Sequence, residues 1–222
     1  MPLIFDVKET LLDPAPPDDV VASALGATTA GAGPRRAWFD QMIRSALALT
    51  AAGEYVPFGT RRGGLSAWPG RREGRARRRR TGGHAGREHP PAPAHPDVAP
   101  ALATLRADGH RIVTLTNSVL EVAHDQLGAS GLDDVVDAVC SADEVRRLKP
   151  APEPYQMVLE REQTDSATLV AAHDWDVADA AAAGLETVFV GREGRRPISA
   201  GPPPTHVVRD LSGLPAVAGT AD

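Results

Sequence analysis

LIFDVKETLLD, residues 3 to 13, is the stretch whose reading decides the fold. Leu3, Ile4 and Phe5 form an apolar run without polar alternation, the pattern of a strand buried on both faces of a parallel sheet. The strand is read as Leu3 to Asp6, so Asp6 stands at its carboxyl end, where open α/β sheets place their ligands. Thr10 follows four residues later. A carboxylate in that place is a candidate nucleophile; taken alone it reads more simply as a cap on the following turn.

Three later segments change that balance. In IVTLTNS a strand from Ile112 to Leu115 ends on Thr116, Asn117 and Ser118. In LKPAPEPY a lysine, Lys149, precedes a proline, and Tyr155 lies six residues beyond it. In LVAAHDWDVADAAAAGLETVFV a strand from Leu169 to Ala172 leads to a cluster with Asp174 and Asp176. A small-residue helix from Val177 to Ala183, closed by Gly184, and a strand from Thr187 to Val190 come next. Periodicity adds helices at Val98–Asp108, Val119–Leu127 and Pro152–Glu162, and a strand at Val135–Val139. Strands alternating with helices predict an α/β, Rossmann-like, doubly wound parallel sheet. The tail beyond Arg195 is rich in proline and glycine, offers one more short strand at His206–Val208, and reads as peripheral.

In this order the segments resemble the haloacid dehalogenase superfamily. Its four motifs are a nucleophilic Asp, a Ser or Thr, a Lys and an acidic cluster, and Asp6, Thr116, Lys149 and Asp176 fall on them. Most members are magnesium phosphatases, which carry a second Asp two residues after the nucleophile; here that residue is Lys8, which supplies no acid near neutral pH unless its pKa falls by several units. Phosphatases also bind magnesium through an Asp four residues before the position of Asp176, where this chain has Ala172. Both departures point to the type II L-2-haloacid dehalogenase branch, for which the resemblance implies no cofactor and no metal. Tyr155 and the Trp175-Asp176 pair match that branch. Ala171 in place of a serine, His173 in place of an asparagine, and Lys8-Glu9 in place of Tyr-Gly depart from it.

The resemblance implies hydrolytic dehalogenation of a small L-2-haloacid through an aspartyl ester. Asp6 would attack C2 opposite the halogen, and water would then attack the ester carbonyl. Lys149 would keep Asp6 ionised, and Asp176 would orient Lys149 or activate the water; Thr10, in the nucleophile's own loop, is grouped with these catalytic residues. Thr116 and the backbone around Asn117 and Ser118 would hold the substrate carboxylate, Asn117 would also donate towards the departing halide, and Tyr155 would lie near the nucleophile. A cap arginine, Arg35 or Arg36, would take the halide, with Arg36 the one adopted. His173 reads as a substrate-side residue or a satisfied strand-end histidine, and less well as a base; no second histidine at a compatible spacing makes it a metal ligand. The rival readings are a magnesium-dependent phosphatase acting on a small phosphate ester and a catalytically impaired relative that binds small acids.

Residues 1–13 and 96–222 are read as the core, and 14–95 as a helical cap inserted after the first strand. In the cap, Trp38, Phe39, Met42, Ile43, Ala46, Leu47 and Leu49 recur at helical spacing between Arg35 and Thr50. From 60 to 94 the cap becomes atypical. Between Arg61 and Glu88 stand ten arginines and two glutamates, with Leu65 and Trp68 the large apolar residues, too little to offset the entropy of ordering. The segment reads as disordered, or as a GC-rich coding stretch translated out of frame between two compensating shifts. Its rival is a phosphate-binding basic arm, but aromatic residues are not interleaved for base stacking, so no specific nucleic-acid partner is expected.

The 222 residues carry a formal net charge of -5 and a single cysteine, Cys140, so no intramolecular disulfide forms and a reducing, cytoplasmic setting is expected. No apolar run is long enough to span a bilayer and no membrane partner is expected. The expected partner is a small 2-haloacid; pairing into a homodimer stays open.

Overall fold

The apolar runs pair into one sheet. Strands β1 (Leu3–Phe5), β2 (Ile112–Thr116), β3 (Ala138–Ser141), β4 (Thr168–Ala171), β5 (Glu186–Val190) and β6 (His206–Val208) lie parallel in the order β3-β2-β1-β4-β5-β6. This computed structural model describes residues 1–13, 32–58, 92–192, 195–199 and 201–219, with backbone only for 32–38. The chain order reverses between β1 and β4, and that switch opens the crevice into which the end of β1 points.

Successive strand residues face opposite sides, and both sides are dry. Leu3 and Phe5 join Val170, Val188 and Val190 on one face. Helices α2 (Val98–Ala107) and α6 (Leu214–Ala218), with Leu127 of α3 (Leu120–Ala129), cover it. Ile4 joins Val113, Leu115, Leu169 and Phe189 on the other, under α4 (Pro152–Glu162) and α5 (Asp174–Ala182). In α2 the buried residues are Val98, Ala101, Leu102 and Leu105, the spacing of a single helical face. Helix α4 opens on Pro152, whose missing N–H costs nothing in the first turn. Two-sided burial is why the strands read as mostly apolar runs, with threonines such as Thr114 the buried exceptions.

The chain leaves the core after Leu12 and returns at Ala94. There the two strands of chain meet: Asp13 N–H donates to Pro93 at 2.7 Å, and His95 N–H to Leu11 at 2.9 Å. Between them, α1 (Ala32–Ala51) is a twenty-residue helix, longer than the expected 35–50. Its Ala46 packs with Ala142 and Leu148, flanked by Tyr55 and Phe58. The atypical stretch 60–94 lies outside the described residues as far as 91. Among the described residues no helix is long and apolar enough to cross a membrane.

Three expectations differ from the structure. β3 begins three residues late, because residues 132–135 turn (Val135 N–H to Leu132) and pairing with β2 starts only where Asp137 exchanges hydrogen bonds with Ile112. α5 begins three residues early: Asp174 accepts from the Trp175 N–H at 2.9 Å, and Asp174 and Asp176 in the first turn suit the positive end of the helix. The tail is not peripheral. It supplies β6 and then Leu211 and Leu214, both fully buried in the same cluster as Leu3 and Phe5.

Candidate active site

Asp6 follows β1, and its carboxylate is held on both oxygens. Lys149 Nζ donates to Oδ1 at 3.0 Å and Thr10 Oγ1 donates to Oδ2 at 2.8 Å. Thr10 is itself fixed by the Ala172 N–H, 2.9 Å away at the end of β4. Burial pushes Asp6 upward, but the Lys149 charge and the side-chain hydrogen bonds from Lys149 and Thr10 outweigh it, and its pKa lies below the ordinary 3.8. The result is an ionised, oriented carboxylate at the switch point.

Lys149 is 1% exposed, and its ammonium has three partners: Asp6, Asp176 Oδ2 at 2.6 Å and the Leu115 carbonyl at 3.0 Å. Those bonds use all three of its hydrogens. Burial lowers the Lys149 pKa, but the two carboxylates outweigh that and hold it above 10.5. Asp176, fully buried, also accepts from the Tyr155 hydroxyl through Oδ1. Burial and the nearby Asp6 charge raise its pKa, against Lys149 and the hydrogen bonds. Asp176 orients the ammonium, and Tyr155 orients Asp176.

Around the front of Asp6 lies a small open cleft, lined by Asp6, Lys8, Phe39, Ile43, Phe58, Thr116, Asn117, Lys149, His173 and Trp175. His173 is stacked between Phe39 and Trp175, at centroid distances of 5.7 and 5.4 Å. Its Nδ1 faces the Arg195 guanidinium at 3.2 Å, a group that only donates. Nδ1 therefore accepts, and Nε2 carries the proton toward the Lys8 carbonyl at 3.1 Å, with Asp6 Oδ2 at 3.6 Å. Both ring nitrogens are thus engaged within the protein, Nδ1 by Arg195 and Nε2 by the Lys8 carbonyl.

The expected site residues divide into two layers. Asp6, Thr116, Asn117, Lys149 and His173 line the cleft. Thr116 accepts the Ser118 N–H at 3.2 Å, so its own hydroxyl proton is available to a ligand. The Asn117 amide grips the Lys149 backbone instead, at 2.8 Å to its N–H and 3.2 Å to its carbonyl, leaving one Nδ2 hydrogen. Thr10, Ser118, Tyr155 and Asp176 sit behind the cleft wall, so Tyr155, expected among the substrate-binding residues, is found supporting Asp176 instead. Tyr155 is turned inward because its ring belongs to the core under α4. Arg36 is on the α1 backbone; its side chain, like that of Arg35, lies outside the described residues.

Two arginines escaped the sequence reading. Arg192, after β5, forms a bidentate pair with Asp97 at 3.0 and 3.1 Å and donates to the Thr10 carbonyl at 2.7 Å, tying the nucleophile's loop to the start of α2. Arg195 joins His173 to Glu9, with Arg195 donating to both. Glu9 itself has a φ of +62°, the left-handed region that costs a side-chain-bearing residue about 1 kcal/mol or more. The signal available was positional: GREGRR follows directly on a core strand at the sheet's functional end. Among the described residues no three His, Cys, Asp or Glu side chains group as a metal site.

This fold and site define a class. The chain matches the haloacid dehalogenase-like hydrolase family over residues 3–185, and it belongs to that family. It is 34% identical over 123 residues to (S)-2-haloacid dehalogenase 4A of Burkholderia cepacia, covering 54% of this chain and 53% of that protein. It is 31% identical over 124 residues to (S)-2-haloacid dehalogenase 1 of Pseudomonas sp. strain CBS-3, covering 55% of each. The chain thus spans about half the length of the curated relatives it matches. The L-2-haloacid dehalogenase of Xanthobacter autotrophicus, solved with chloropropionic acid covalently bound, has the same fold. Its TM-score is 0.78 at 20% identity, over 99% of this chain and 98% of that one.

Proposed function

We propose that the protein hydrolyses small L-2-haloacids without a metal. The carboxylate of Asp6 attacks C2 from the side opposite the halogen; the new O–C2 bond forms as the C2–halogen bond breaks, and the halide leaves with the bonding pair. Water then adds to the Asp6 carbonyl carbon, the ester C–O bond breaks, and the 2-hydroxyacid, a proton and a free Asp6 carboxylate result. Lys149 holds Asp6 ionised and aimed, Asp176 and Tyr155 hold Lys149, and Thr10 fixes the carboxylate plane. Thr116 and the remaining Asn117 hydrogen serve the substrate, and Arg36 remains the proposed halide acceptor from the cap.

The observation that carries the reading is the buried ammonium of Lys149, bonded to Asp6 and Asp176 at 3.0 and 2.6 Å, with Lys8 rather than a second carboxylate beside the nucleophile. A fixed internal cation does for a carboxylate nucleophile what a divalent ion does elsewhere. The relatives named as (S)-2-haloacid dehalogenases support the substrate class, and the free, buried Cys140 fits a cytoplasmic setting. The test is halide release from L-2-chloropropionate in excess EDTA. Undiminished release is expected; magnesium-dependent phosphate release from an aryl phosphate, with no halide release, would refute it.

A further inference from the structure

The geometry points to Lys8 as the counter-ion of the substrate's carboxylate. This inference rests on the haloacid reading and adds a residue to it. The cleft holds two lysines, and counting hydrogens separates them. Lys149 has none left, since Asp6, Asp176 and Leu115 take all three. Lys8 has no hydrogen bond or ion pair through Nζ among the described residues; its ammonium stands over the Phe58 ring, 5.3 Å from the centroid. His173 has spent its Nε2 proton on the Lys8 carbonyl, and Asn117 most of its amide on the Lys149 backbone. Among the described residues an acid entering this cleft therefore meets one unspent cation, Lys8.

Direction separates the two ends of the substrate. Displacement with inversion puts the halogen opposite the attacking oxygen, on the far side of C2. Lys8 leaves the same strand end as Asp6, two residues on, and the Asp6 charge acts on its amine. Lining the same cleft as the nucleophile, it is placed to meet the carboxylate of a 2-haloacid whose C2 faces Asp6. Phe39, Ile43, Phe58 and Trp175 supply apolar walls for the alkyl part, and Phe58 steadies the ammonium through its ring face. Burial pulls the Lys8 amine below its usual value, against Asp6 and Glu9, so a carboxylate arriving next to it restores the charge balance that burial upset.

The test uses the full chain with Lys8→Met and Lys8→Arg. Propionate, a substrate analogue with no leaving group, and bromide are titrated separately by calorimetry and as inhibitors of L-2-chloropropionate turnover. Loss of a charge-assisted hydrogen bond predicts propionate affinity weakened about tenfold or more in Lys8→Met, with a matching rise in KM, and partial recovery in Lys8→Arg. Bromide affinity is expected to change by less than about twofold, as an interaction remote from the group removed. Weakened bromide with unchanged propionate, equal propionate binding by wild type and Lys8→Met, or no propionate binding by wild type would each overturn the assignment. If wild type binds propionate through Lys8 yet releases no halide, the haloacid reading fails and the carboxylate site stands.

Discussion

Replacing Lys149 by methionine removes one charge from the centre of the site and leaves its shape nearly intact. Three hydrogen bonds go, at 2.6, 3.0 and 3.0 Å, and two buried carboxylates are left facing each other without the cation between them. Breaking a buried ion pair by deleting one partner costs about 3–5 kcal/mol, most of it the penalty on the abandoned charge. The pH dependence follows from the directions of the shifts. The raised Lys149 pKa gives stability that is full below 10.5 and is lost as pH rises through the folded value. The lowered Asp6 pKa gives stability present above 3.8 and lost as pH falls through its folded value. Asp176, raised, works the other way and favours acid. Without Lys149 the Asp6 carboxyl also moves up, so the variant gains a proton on folding and its deficit shrinks in acid. Urea unfolding should show a loss of about 3–5 kcal/mol at pH 7 and a smaller one at pH 5. Adding Asp176→Asn should recover part of the loss. A deficit below about 1 kcal/mol at pH 7, or one independent of pH, would refute the claim that Lys149 neutralises this pair.

Substitutions at two further positions probe what surrounds the pair. Asp179, half-buried behind Asp176, is raised by burial and by that neighbour's charge to about 6. Its contribution to stability is therefore whole below 3.8 and is lost as pH rises to about 6, so Asp179→Asn should raise Tm at pH 7.5 and leave it unchanged at pH 3.5; equal Tm values at pH 7.5 would contradict the shift. At Glu9, with φ at +62°, alanine keeps the strain and loses the Arg195 pairing, whereas glycine loses the pairing and the strain together. Glu9→Gly should therefore be more stable than Glu9→Ala by about 1 kcal/mol in denaturant titration, and the reverse order would show that the backbone there is unstrained.

What the sequence disclosed follows from how these elements are built. Asp6, Thr116 and the Ala172 turn are legible because each ends a strand whose two-sided burial leaves a mostly apolar run, and ends of such strands face one crevice. Lys149 and Asp176 stand out by their place among those ends. The tail was misread because His206–Val208 is short and partly exposed, and Leu211 and Leu214 are separated by small residues, so neither shows a period. Arg192 and Arg195 were invisible for another reason: their partners, Asp97, Thr10, Glu9 and His173, are distant in sequence, and a charged run after a strand looks like solvated surface until the fold closes over it. Tyr155 was expected near the nucleophile, and the structure turns it onto Asp176 instead, because a helix position fixes a direction only once its buried face is known.

The covalent role of Asp6 is tested most directly by turnover of L-2-chloropropionate in H2-18O, followed by digestion and mass spectrometry of the peptide that contains Asp6. Attack of water on the aspartyl ester carbonyl predicts 18O in the Asp6 carboxylate, with the first turnover delivering an unlabelled oxygen to the 2-hydroxyacid. Label appearing in the product of a single turnover, with none in the Asp6 peptide, would mean that water attacks C2 directly and would contradict the account.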